Sequence, residues 1–261
     1  MTLALDRGIQ ILAELGNAQG LTLSEVSQRT GIPKSTTHRL LKRLTEQHLV
    51  RQNLLDQRYR SNVLLPQQTE VHIPPADQPL IEIICQHAEA LTDQVLWPSD
   101  IFIPIDNKLF LVESTRAITR LHINHCRIQT EVSMLRSAAG RVLLAYCNES
   151  DRERYLDTIW TNSPSNTQQQ FYETWPSLHK QILQQGFAYR SPSYFGERGV
   201  NDGLRAIAVP IMSDSKVRAC INLVWPNVFA DEKTFANNYA ALLKHTAANI
   251  SNHLKTINRG F

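Results

Sequence analysis

Cysteine is scarce in this chain, and the four residues, Cys85, Cys126, Cys147 and Cys220, form no Cys-x-x-Cys pair. That spacing argues against a zinc ribbon, a thioredoxin-type motif or a dense disulfide framework, and fits a reducing compartment. Long apolar runs are missing as well. Stretches such as Ile101-Phe-Ile-Pro-Ile105 fall far short of the roughly 20 residues that span a bilayer, so no membrane partner is expected. Neither a Gly-x-Ser-x-Gly elbow nor a phosphate-binding loop occurs, and Gly196-Glu-Arg-Gly199 lacks the pattern of one. His122-x-x-His125-Cys126 has a metal-like spacing, but in a predicted strand those histidines face opposite sides, with no acidic partner nearby. The expectation is therefore no metal, no cofactor and no enzymatic activity. Met1-Thr-Leu-Ala-Leu-Asp6 runs straight into an amphipathic helix with no signal-peptide pattern, which predicts a cytoplasmic protein.

What is present divides unevenly. The 261 residues are enough for two domains, and a hydrophobic content of 42% with 20% charged residues is ordinary for a globular protein. The net charge of +3 is concentrated at one end. Residues 1–65 hold nine Lys/Arg against five Asp/Glu, whereas the rest of the chain comes to −1. A local basic excess is the electrostatic footprint of nucleic-acid binding. A purely architectural DNA-binding protein would not need the large, weakly charged second part.

Leu5, Ile9, Leu12 and Ala13 predict a first helix over about 4–16. Thr22 and Glu25 stand at capping-box spacing ahead of a short second helix lined by Leu23, Val26 and Thr30, and Gly31 closes it. Pro33 opens a third helix with one stripe of Thr37, Leu40, Leu41 and Leu44 and an opposite stripe of Ser35, His38, Arg39 and Lys42. Arg51-Gln-Asn and Arg58-Tyr-Arg60-Ser flank Leu54-Leu-Asp56-Gln, a short basic hairpin. The N-terminal part, 1–65, thus reads as a winged helix-turn-helix. Four prolines within 66–79 mark a linker. Residues 80–261 follow as the second domain, with a helix over Leu80–Asp93 and strands over 95–105, 108–113 and 118–125. Helices then begin at Ser137, near 150 and near 167, strands cover 204–211 and 217–225, and a long helix closes the chain. Without a regular βαβ beat, the fold class is α+β around a mainly antiparallel sheet.

Both halves resemble the IclR family of bacterial transcription regulators. The resemblance is carried by Asp6-Arg7-Gly8-Ile9-Gln-Ile11-Leu12, Leu23-Ser-Glu25-Val, Gly31-Ile-Pro33-Lys34-Ser35-Thr-Thr-His38-Arg39-Leu40-Leu41 and the wing ending Arg58-Tyr59-Arg60. Further along it rests on Ser137-Ala-Ala-Gly140-Arg141-Val-Leu143-Leu144-Ala145, Gly186-Phe-Ala188 and Leu204-Arg-Ala-Ile207-Ala208-Val-Pro210. Within that family, Val95-Leu-Trp97-Pro98-Ser-Asp100, Leu121-His-Ile-Asn-His125 and Cys220-Ile-Asn222-Leu-Val224 look like the branch that activates phenylpropionate catabolism in response to hydroxyphenylpropionates. The Pro-rich stretch departs from relatives that run from the wing directly into a linker helix. The resemblance implies a GAF-like α+β effector-binding domain, operator DNA as partner and assembly into a homodimer or tetramer. It also implies a small aromatic carboxylic acid as effector; such an effector would shift the dimer toward or away from DNA-competent spacing, or change contact with RNA polymerase. A repressor sensing a different small organic acid is the alternative.

A winged helix-turn-helix presents the first turns of its recognition helix to base edges while flanking groups hold phosphate. Lys34, Ser35, Thr36, His38 and Arg39 are therefore the expected readers of the major groove. Lys42, Arg43, Arg51, Arg58 and Arg60 are expected to neutralise phosphates or reach a minor groove. For the effector, the resemblance places Met134, Val142, Glu197, Ala206, Asn222 and Val224 around a pocket. The amides of Ala138, Ala139 and Gly140 start a helix whose N-terminus suits a carboxylate. Arg136 offers a guanidinium fork for the same carboxylate, or else a surface ion pair with Glu131 or Glu197. Trp97, Phe102, Phe110, Tyr194 and Phe195 are candidate walls for an aromatic ring, and His122 or His125 a candidate donor to a ring hydroxyl.

Overall fold

The computed structural model describes residues 3–16, 18, 20–63, 73–121, 123, 126, 128–161, 163–194, 196 and 202–258. The chain forms two compact units, Met1–Glu70 and Val71–Phe261. In the first, helix α1 (Leu3–Gly16) buries Gly8, Ile11, Leu12 and Leu15. Leu5 and Ile9, expected on the inner face, are exposed. Two overlapping apolar stripes exist in this helix, and the one that meets Val26 and Leu41 across the core is buried.

Helix α2 (Leu23–Thr30) begins with a complete capping box: the Thr22 hydroxyl accepts from the Glu25 amide at 3.3 Å, and the Glu25 carboxylate accepts from the Thr22 amide at 2.7 Å. Gly31 ends it at φ 67°, a conformation that favours glycine. Helix α3 (Lys34–Glu46) follows Pro33, and the fully buried Thr37 donates to the Ile32 and Pro33 carbonyls at 3.1 and 3.2 Å. Strands β1 (Val50–Gln52) and β2 (Tyr59–Ser61) pair antiparallel as the wing.

In the second unit, helix α4 (Gln78–Val95) starts two residues earlier than expected, because Pro79 fits the first turn, where its missing N–H costs nothing. A 3-10 turn at Pro75–Asp77 precedes it. Half of the expected linker, 66–72, lies outside the described residues.

The remaining strands are β3 (Asp100–Ile105), β4 (Lys108–Ser114), β5 (Thr130–Val132), β6 (Ala188–Tyr189), β7 (Leu204–Ser213) and β8 (Lys216–Pro226). They form one six-stranded sheet in the order β5-β4-β3-β8-β7-β6, every neighbouring pair antiparallel. The expected strand over 118–125 is not one among its described residues. There a 3-10 turn at Thr115–Ala117 takes the chain out of the sheet, pinned by the Thr115 hydroxyl, which bonds the Thr92 hydroxyl at 2.7 Å and the Ser99 amide at 2.8 Å.

Alternation assigns each side chain to one of two cores. Ile101, Ile103, Phe110, Val112, Ile207, Ile221, Leu223 and Trp225 pack on α4 and the long closing helix α8 (Glu232–Asn258). Phe102, Leu109, Leu111, Ala206, Ala208, Cys220 and Val224 face the opposite way, toward a layer of three helices. These are α5 (Ala138–Tyr146), α6 (Glu149–Trp160) and α7 (Ser165–Gln185). Helix α5 comes unusually close to the segment before it. A Cβ on Gly140 would lie 2.2 Å from the Met134 Cα and 2.6 Å from its carbonyl oxygen.

Gly140→Ala is accordingly expected to destabilise the second unit by about 1–3 kcal/mol or more, as overpacking against backbone does. A thermal melt that matches wild type would show that this approach is not rigid.

Candidate DNA-binding surface and effector cavity

Helix α3 turns its basic residues outward. Lys34, Ser35, His38, Arg39, Lys42 and Arg43 are exposed, whereas Thr36 is partly buried at the edge of the stripe. Pro33 supplies no side-chain cap, so the first-turn amides of α3 remain available to a phosphate. Among the described residues, Arg43 bonds to Glu46 at 3.0 Å, an exposed contact of little energetic weight.

In the wing, two of the three expected arginines already have partners within the protein. Arg51 is exposed and stands opposite Arg60 in the register. Arg60, however, is held by both oxygens of Asp56, at 3.0 and 2.5 Å. Arg58 donates to the Gly20 carbonyl at 3.0 Å and to Glu25 at 2.8 Å. Both arginines thus brace the wing against its turn and against α2, which is a structural use of their charge. The hydrogen bond from Arg60 and the amide of Arg58 pull the Asp56 carboxyl down to about 2. Glu25 is lowered as well, first by its hydrogen bonds with Thr22 and then by Arg58.

On the sheet face turned toward α5 lies a cavity of about 190 Å³. Phe102, Leu111, Val132, Ala206 and Val224 give it an apolar wall. Ser137, Ala138 and Ala139 bring the first turn of α5 to its edge, with the Ser137 hydroxyl accepting from the Gly140 amide at 3.0 Å. Asn222 lines it from β8, as expected.

Other expected pocket residues lie elsewhere. Val142 is fully buried in the core beneath α5, and Gly140 is closed off by the Met134 backbone. Met134 and the exposed Arg136 line a separate, wider cleft of about 830 Å³ that also borders α7. The Arg136 guanidinium lies 5.8 Å from the Tyr194 ring centre, and Glu131 is paired with Lys108 at 2.8 Å instead. Trp97 and Phe110 belong to the other side of the sheet, where Trp97 packs on Phe229 and Phe235. Phe102 and Tyr194 do line the cavity. Glu197, Phe195, His122 and His125 lie outside the described residues.

The polar end of the cavity is made by residues that the sequence reading did not single out. Asp100 and Arg116 form a buried two-point pair at 3.0 and 2.7 Å. Asp100 is fixed further by the Ser114 hydroxyl at 2.8 Å and by the Asn222 side chain, whose carboxamide oxygen accepts from the Asp100 amide at 2.7 Å. Burial by itself would lower the Arg116 pKa, but the Asp100 charge and hydrogen bond outweigh it and hold the guanidinium above its usual value. Beside them, burial and the Asp100 charge push the Cys126 thiol up to about 11, so it enters the cavity as a neutral group. Arg190 donates to Asp202 at 2.9 Å and to the Tyr194 carbonyl at 3.2 Å, with its guanidinium 4.8 Å from the Tyr194 ring centre. No spacing rule links Asp100 to Arg116 or Arg190 to Asp202, since each pair meets only through the folded chain.

The Asp56 carboxyl is expected to titrate near 2, against its ordinary 3.8, in an NMR pH titration. Because the folded value is the lower one, the contact's stabilisation of the wing is complete above the ordinary value and lost as pH falls through the folded one. A midpoint at the ordinary value would show that the carboxylate does not hold Arg60.

Residues 4–54 match the IclR helix-turn-helix domain, and residues 106–252 match the C-terminal domain described as bacterial transcriptional regulator IclR. Solved structures of similar fold include the IclR of Thermotoga maritima, at 17% identity and a TM-score of 0.56 over 97% of this chain and 99% of that one. Another is an IclR homolog from Microbacterium hydrocarbonoxydans in complex with 4-hydroxybenzoate, at 20% identity and a TM-score of 0.54 over 97% and 99%. An IclR family transcriptional regulator from Brucella abortus gives 18% identity and 0.54 over 97% and 93%. At such identities the structures attest the fold alone; family membership rests on the two domain matches, the second of which spans more than half of the chain. The chain belongs to the IclR family, and is a DNA-binding transcription regulator with a C-terminal effector-binding domain.

Proposed function

We propose that this regulator reads operator DNA through the exposed face of α3, with β1 of the wing on the backbone. In this reading a small aromatic carboxylic acid of the hydroxyphenylpropionate type controls it. The observation that carries the effector assignment is the α5 cavity: an apolar wall with Phe102 and Tyr194, and two arginines, Arg116 and Arg190, at its polar end. An apolar cavity of about 150 Å³ holds benzene, so about 190 Å³ suits one substituted ring. An aromatic hydroxy acid bound by a homolog of the same fold supports the same class. Ser137, Ala138 and Ala139 add the positive end of α5 near the carboxylate.

On the DNA side, Lys34, Ser35, His38 and Arg39 would address base edges, and Lys42, Arg43 and Arg51 phosphates. Thr36, partly buried, would contribute at the margin. A single helix reads only a few base pairs, so useful specificity requires a homodimer or tetramer on a partly palindromic operator. The effector then acts by linkage: the state that binds it better gains about 1–3 kcal/mol, altering DNA affinity or contact with RNA polymerase. In the proposed branch the outcome is activation of aromatic-acid catabolism.

Titration of a labelled promoter fragment with and without 3-(3-hydroxyphenyl)propionate tests this reading, with a reporter giving the sign of regulation. DNA binding that ignores both sequence and acid would reject it. Arg39→Ala is expected to reduce discrimination between operator and random DNA by about 1–3 kcal/mol, and an unchanged specificity ratio would remove its base-reading role. Lys42→Ala should weaken binding to all sequences alike and flatten the salt dependence by roughly 0.9; an unaltered slope would place Lys42 off the backbone.

A further inference from the structure

All four charged residues that line the cavity, among the described residues, already face a charge of opposite sign: Asp100 with Arg116 and Asp202 with Arg190. The Asp202 charge is also felt at Arg116, so the two pairs share one electrostatic environment. An entering carboxylate therefore meets no described lining cation without a carboxylate partner, and has to compete with one for its cation.

The two pairs are not equally replaceable. Asp100 holds Arg116 at two points, its side chain is only 4% exposed, and Ser114 and Asn222 hold it in turn. Asp202 makes a single contact to Arg190, and its side chain is 31% exposed, so it can turn to water. Its other oxygen accepts from the Leu204 amide at 3.0 Å, which keeps Asp202 in place after the contact is lost. Arg190 itself is 9% exposed, anchored to the Tyr194 carbonyl and stacked on that ring, so it stays behind. Gly196, at φ 83°, sits directly over the pair: a Cβ there would lie 2.9 Å from the Asp202 carboxylate and 3.5 Å from the Arg190 guanidinium.

Resting on the effector reading above, we propose that Asp202 is an internal stand-in for the effector's carboxylate, which replaces it on Arg190 when the cavity fills. Arg190 is then the residue that selects acids over neutral isosteres, and Asp202 sets a threshold by competing for it. No proton changes hands, because one carboxylate succeeds another on the same guanidinium.

Calorimetric titration of the full-length chain with 3-(3-hydroxyphenyl)propionate and with its primary amide tests the exchange. Asp202→Asn, and Asp202→Ser as a second variant that retains an acceptor for the Leu204 amide, should bind the acid tighter, by up to roughly fivefold. Neither should change its affinity for the amide. Arg190→Gln should abolish the preference for the acid while leaving amide binding in place. Acid affinity that is unchanged or weaker in both Asp202 variants, with wild-type melting curves, overturns the exchange alone. If wild type binds neither acid nor amide, the effector reading fails and the exchange falls with it.

Discussion

A strand shows alternate residues to opposite faces, and in the second unit nearly everything follows from that constraint. Strands β7 and β8 pair over ten register positions, from Leu204 with Pro226 to Ser213 with Lys216. One parity of that ladder, with Ile207, Ile221, Leu223 and Trp225, seals against α4 and α8. The other parity, with Ala206, Asn222 and Val224, is left to form the floor of a cavity under α5. The small side chain of Ala206 leaves room there, and a slip of one residue would place Ile207 and Leu223 there instead.

A polar wall in such a place is costly unless every charge is matched. Asn222 carries much of that duty, because β8 sets it against β3, where it bonds both the amide and the carboxylate of Asp100. Asp100 in turn orients Arg116, which the chain delivers through the 3-10 turn after β4. The cavity thus obtains a cation without leaving one unpaired, and the neutral Cys126 thiol adds a polar group without adding charge.

The first unit uses charge in two ways that look alike along the chain. Arg58 and Arg60 close on Glu25 and Asp56, tying the wing to α2 and to its own turn. The basic residues on the outer face of α3 stay exposed, aligned by the burial of Thr37 and Leu41 on the inner face. Local pairing with Asp56 and Glu25 sets the two wing arginines apart from the exposed basic face of α3, and it depends on how the turn at Asp56 folds.

By itself the sequence determined the features that local chemistry controls. The capping box at Thr22, the left-handed close at Gly31, the two faces of α3 and the antiparallel pair β7–β8 all follow from spacings within a few residues. The sites were legible to differing depth. Exposure along α3 matched its pattern, and Ala138, Ala139, Ala206, Asn222 and Val224 do border the cavity. Arg136 sits one residue before the α5 cap and yet outside it, because its side chain leaves toward the cleft beside α7. Only tertiary structure decided which arginines face the cavity. Arg116 and Arg190 are brought there by partners 16 and 12 residues away, across turns whose course no periodicity encodes. A buried charge is placed by the partner that neutralises it, and that partner is chosen by the fold.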